Sequence, residues 1–141
     1  VCSSDLKMSS IQQPYRPGIC NIGKPELRVR KIFLNLFIII TIVFTITAMY
    51  WCNSIFLFIA LLFSSFCAIV LALEIRYQFC IIFGFFNLHN FKQLGHLEEV
   101  HDPENAKADR QKVIQIIIKS LAIALLYTSS IHFISQWALT H

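Results

Sequence analysis

Three long apolar runs, set apart by short polar or charged stretches, dominate the pattern of this chain. Ile32–Trp51 holds no charged residue, neither does Ile55–Leu73, and Val113–Leu139 holds only Lys119. Roughly 20 apolar residues rising about 1.5 Å each cover the ~30 Å hydrocarbon core of a bilayer. The pattern therefore predicts an all-α membrane protein with three transmembrane helices, at about 32–51, 55–73 and 113–139. β-Branched residues crowd the first run and disfavour helix in water. In lipid the backbone must satisfy its own hydrogen bonds, so helix is expected all the same.

Positions within each run refine this picture. Tyr50 and Trp51 close the first span and Trp137 lies near the end of the third, where amphipathic rings favour the headgroup level. Between the first two spans, Cys52-Asn53-Ser54 is long enough only for a tight turn, which predicts an antiparallel hairpin. Asn35, Thr41, Thr45, Ala48 and Cys52 fall near one face of the first span. In the second, Ala60, Ser64, Ala68 and Ala72 recur every fourth residue. Small side chains in that register let a second helix approach closely, so this strip is the expected helix-packing face.

The loop 74–112 is mixed. Glu74, Arg76 and Gln78 mark an interface, and the apolar residues that follow are too few to cross. Ile75, Phe79, Ile82, Phe83 and Phe86, with Leu94 and Leu97 beyond, suit an interfacial helical segment after the second span. A fourth crossing through this region would strand Lys92, Lys107, Arg110 and Lys112 on the far side and is the lesser alternative. Asp102-Pro103-Glu104 reads as a helix start, with Asp as cap and Pro in the first turn. One continuous helix is expected over Glu104–Leu139, its first turns supported by Glu104 with Lys107 and Asp109 with Lys112.

Composition and charge add an orientation. The chain has 141 residues, 56% hydrophobic and only 14% charged, which is too little charge to cover a soluble domain of this size. Lys7, Arg16, Lys24, Arg28, Arg30 and Lys31 precede the first span. Arg76, Lys92, Lys107, Arg110 and Lys112 lie between the second and third, and Lys119 is within two turns of the third span's start. With the N-terminus in and the C-terminus out, all twelve fall on the cytoplasmic side, as short loops prefer. A multi-pass protein of a bacterial inner membrane is the expected setting. Residues 1–31 read as a mobile cytoplasmic arm broken by Pro14, Pro17, Gly18, Gly23 and Pro25. Val1–Leu6 resembles translated sequencing-adapter read-through, which makes Met8 the expected start. The first span follows too long a polar stretch for a cleavable signal and is expected to be a retained anchor.

Candidate chemistry is sparse. Five cysteines without regular spacing suggest neither a disulfide framework nor a zinc site, and five unpaired thiols are expected. In the last span Gln115, Lys119, Ser129 and Gln136 follow helical spacing with His132 close by, a candidate intramembrane polar face. The first reading for Lys119 is a stem long enough to carry its ammonium to the headgroups. For His132 it is a neutral imidazole bonded to a hydroxyl. The stretch His96-Leu97-Glu98-Glu99-Val100-His101 sets its histidines five apart, unlike the i,i+4 pair of metalloprotease helices, so no metal site is expected. Only His132 lies inside a span, which leaves no histidine pair to hold haem, and no cofactor is expected. No catalytic set, phosphate loop or nucleic-acid module is present, and Arg28, Arg30 and Lys31 suit anionic headgroups better than nucleic acid. The expected partners are the lipid bilayer and a membrane protein or a second copy of the chain. The expected function is an accessory, assembly or structural subunit of a larger membrane complex. An oligomeric transporter or channel using Lys119, His132 and Gln136 is the alternative, and a membrane enzyme using the His/Glu loop comes third.

Overall fold

A computed structural model describes residues 17–51, 54–86, 88–89, 98–99 and 102–140. The Cys52-Asn53 part of the predicted turn, Leu94 and Leu97, the His96 and His101 cluster and the first sixteen residues lie outside the described residues. The architecture is helical: α1 (Lys24–Tyr50), α2 (Ile55–Tyr77), a short α3 (Ile81–Phe85) and α4 (Pro103–Thr140). Two-residue strands β1 (Leu88–His89) and β2 (Glu98–Glu99) pair antiparallel, Leu88 opposite Glu99 and His89 opposite Glu98. Helices α1, α2 and α4 are each long and apolar enough to cross a membrane.

The spans extend past the apolar runs that predicted them. Helix α1 begins at Lys24, with Pro25 in its first turn, where a missing N–H costs nothing. At the start of α4, Asp102 acts as the sequence suggests: its carboxylate accepts the Glu104 N–H at 3.0 Å. With 38 residues, α4 is about 57 Å long, so its polar first turns stand clear of any ~30 Å hydrocarbon layer.

Helix α2 sits between its neighbours and packs on both, while α1 and α4 touch each other less. It runs antiparallel to each: Arg30 near the start of α1 meets Glu74 near the end of α2, and Phe58 near the start of α2 meets His132 near the end of α4. One end of the bundle therefore gathers Arg30, Arg76 and Lys112, and the opposite end carries Tyr50, Trp51 and Trp137. Inside the helices, hydroxyls bond back to carbonyls one turn earlier: Thr41 to Phe37, Thr47 to Val43, Ser130 to Leu126. That habit lets hydroxyls sit in apolar helices without an orphaned donor. Thr45 donates in the same way to Thr41, so its 2.8 Å contact with the Tyr127 hydroxyl, which ties α1 to α4, has Tyr127 as donor.

The segment after α2 departs from the expected interfacial helix. Gln78 adopts a left-handed conformation, φ 50°, and stops α2. Phe79, placed by the sequence on an interfacial face, is 0% exposed and forms the core of the basic end with Val113 and Ile116 of α4. Among the described residues of this segment only α3, five residues long, is helical, and it packs on α4. The physical reason lies at Gly84, where a Cβ would stand 2.7 Å from the Phe79 ring and 2.9 Å from Val113. Without that side chain the backbone closes down on the buried ring.

Candidate functional site

At the basic end the chain before α1 is locked onto the α2–α3 junction. The Asn21 side chain is fully buried and works in both directions on one residue, donating to the Cys80 carbonyl at 3.0 Å and accepting the Cys80 N–H at 2.6 Å. Its own backbone N–H donates to the Gln78 carbonyl at 3.2 Å. Gly18, at φ +66°, turns its N–H toward the buried Asp109 carboxylate of α4 at 2.6 Å. A side chain at Gly18 would meet both the strained φ and the Ala108 carbonyl at 3.3 Å. Residues 17–23, read from sequence as part of a mobile arm, are thus fastened to α2, α3 and α4. Asp109, expected beside Lys112, faces inward instead, and Lys112 stands over the Tyr77 ring at 4.2 Å.

Arg30 ties α1 to this junction. Its guanidinium donates to Glu74 at 3.1 Å and to Glu26 at 3.0 Å, and it stacks over Phe83 at 5.6 Å from the ring centroid. Glu74 uses its second oxygen to accept the Ile81 N–H at 2.8 Å, so one buried carboxylate both neutralises Arg30 and caps the short helix. A buried ion pair is tolerated when its remaining lone pairs are satisfied in this way. Cys80 lies beside the pair. Burial, and then the Glu74 charge, push its thiol above the ordinary thiol range despite the nearby guanidinium, so it is held as a neutral, poorly nucleophilic group. Cys20 is disulfide-bonded, which corrects the expectation of five unpaired thiols; Cys67 and Cys80 are free. Pairing of this kind is not readable from spacing alone.

The predicted polar face of α4 is divided. Gln115, Lys119, Ser129 and Gln136 are exposed, while His132 is half-buried with its ring edge-on to Phe58 at 5.8 Å. The Lys119 ammonium leans to the Tyr77 ring, 5.9 Å from its centroid, that is, toward the basic end. In the α2 strip, Ser64 is buried, Ala60 and Ala68 are half-buried and Ala72 is exposed. What α4 buries is a different stripe, Ser120, Ala124 and Thr128 at four-residue spacing, with Ser135 beyond. The same small-residue register that marks α2 was present there, masked by the bulky Ile and Leu around it. Asn21, Glu74 and Asp109 carried no comparable signal.

Among the described residues no three metal-ligating side chains come together. At the aromatic end, Ala48, Leu61, Thr128, His132 and Ser135 help line a crevice of about 10 Å³, room for roughly one water. The buried polar groups are largely committed to holding the fold, and the exposed ones lie on a lipid-length helix. In comparisons with protein-family models, curated proteins and solved structures, nothing matches this chain.

Proposed function

We propose that this chain is a small polytopic accessory or assembly subunit that packs within the bilayer against a larger membrane complex or a second copy of itself. The observation that carries this reading is the outward stripe of α4. Gln115 and Ser129 are exposed on the face turned from α1 and α2. Polar side chains facing hydrocarbon are costly, and contact with another helix relieves the cost. The thin interior adds support, since α1 buries only Ala48 fully. Clustering of the basic residues at one end favours a bacterial inner-membrane setting with that end, and the N-terminus, in the cytoplasm.

The transport alternative asks Lys119, His132 and Gln136 to face one shared path. His132 is set against Phe58 and Lys119 leans on Tyr77, both of α2, which withdraws two of the three from it.

Association is tested by crosslinking in native membranes through a cysteine introduced at Ser129. A discrete adduct is expected, and Ser129→Leu with Gln115→Leu should abolish the matching band on a native gel. A uniformly monomeric, lipid-only migration of the unaltered chain would refute the subunit reading.

A further inference from the structure

Lys112 and Lys119 converge on one aromatic ring. Their ammonium groups lie 4.2 and 5.9 Å from the centroid of Tyr77, the last residue of α2. Seven residues apart, the two lysines share a face of α4 two turns along. Tyr77 is wedged against the core of Phe79, Val113 and Ile116, so the ring that gathers them is held in place. Arg76, exposed, adjoins it. Both ion pairs among the described residues belong to Arg30, so Lys112, Lys119 and Arg76 have no carboxylate partner there.

Cations drawn together without an acid repel one another, and a ring face offsets only part of that repulsion. An anion between them resolves it. The level of the cluster identifies which kind. It lies where the polar first turns of α4 give way to the apolar run from Val113, and Ile123 and Leu126 lie exposed further along the helix near the face that carries the two lysines. A basic seam between transmembrane helices, opening onto apolar surface, fits a lipid headgroup above and its chains below.

We propose that the α2–α4 seam at the basic end binds the phosphate of an anionic phospholipid, held by Lys112 and Lys119 across Tyr77 with Arg76 beside it. The site needs this end to lie at a bilayer surface and is independent of which partner, if any, α4 engages.

The test uses the full chain in phosphatidylcholine vesicles, in vesicles with added phosphatidylglycerol, and in those phosphatidylglycerol-containing vesicles with free glycerol phosphate. Lipid retained on the protein is read by native mass spectrometry after mild extraction. Phosphatidylglycerol should be retained selectively, and free glycerol phosphate should not displace it. Lys112→Gln with Lys119→Gln should weaken retention about 25-fold, at roughly fivefold per cation near the surface. The control Lys24→Gln with Lys31→Gln removes the same charge from exposed positions of α1, outside the seam, and should weaken retention clearly less than the seam pair does. Lys112→Arg with Lys119→Arg should preserve binding, which separates lost recognition from a lost fold. Equal losses in the seam and control variants would overturn the proposal by showing general surface attraction. Efficient displacement by glycerol phosphate would overturn it in favour of a soluble anion, and absence of selectivity in the unaltered chain would overturn it outright.

Discussion

Asn21 gives both ends of its side-chain amide to the backbone of Cys80, 59 residues away, in a place that water does not reach. Truncation to alanine would leave the buried Cys80 N–H without a partner, at about 1–3 kcal/mol, while the Cys80 carbonyl would keep the Gly84 N–H at 2.9 Å. Asn21→Ala is therefore expected to lower stability by about 1–3 kcal/mol, measured by thermal unfolding in detergent. Maleimide labelling of Cys80, resolved by peptide mapping, should accelerate in parallel. In the intact protein that labelling should be slow at neutral pH, because burial raises the thiol above its ordinary range. The sign follows from linkage: a folded value above the unfolded one gives stability that is complete below about pH 8.5 and is lost as pH rises through the folded value. Labelling of Cys80 as fast as that of a free thiol would contradict this placement.

At the scale of elements, the break after α2 decides how the basic end is built. Gln78 turns left-handed, Glu74 caps α3, and Gly84 lets that short helix close on Phe79. Gly84→Ala would force a methyl into the ring and Val113, and overpacking of this kind costs about 1–3 kcal/mol. The expected result is a lower thermal midpoint, and Phe79→Leu in the same chain should recover part of it by making room. No loss in Gly84→Ala would mean that α3 does not pack down as described. The interfacial helix expected from the sequence failed here for a related reason. Its apolar spacing was real, but Phe79 serves the core of the bundle, and a residue's period does not say which of two apolar surroundings it enters.

For the molecule as a whole, the cations of the helices gather at one end and the interfacial aromatics at the other. The proposed orientation, basic end inward, is checked by cysteine labelling with a membrane-impermeant reagent in intact cells. A single cysteine placed at Lys24 should be protected and one at Trp137 should react. The Cys20 disulfide sharpens the check, because cytoplasmic thiols are kept reduced. With the basic end inside, the cytoplasmic thiol pool should reduce the Cys20 disulfide, so that Cys20 labels as a thiol in cells quenched before lysis. A disulfide already present at that moment would place this end outside and reverse the proposed topology.

The apolar runs determined by themselves the three long helices among the described residues, and Asp102-Pro103 marked where the last one starts. These features are local: the length of a greasy run and the chemistry of a helix start depend on residues adjacent in the chain. Tertiary structure decided the rest. The Gly18 N–H reaches Asp109 across 91 residues, Arg30 reaches Glu74 across 44 while also holding Glu26, and α4 buries Ser120, Ala124 and Thr128 while turning Gln115 and Ser129 outward. Each of these outcomes depends on how helices rotate against one another, and a helix that is apolar nearly all round carries little periodic signal to specify its own rotation.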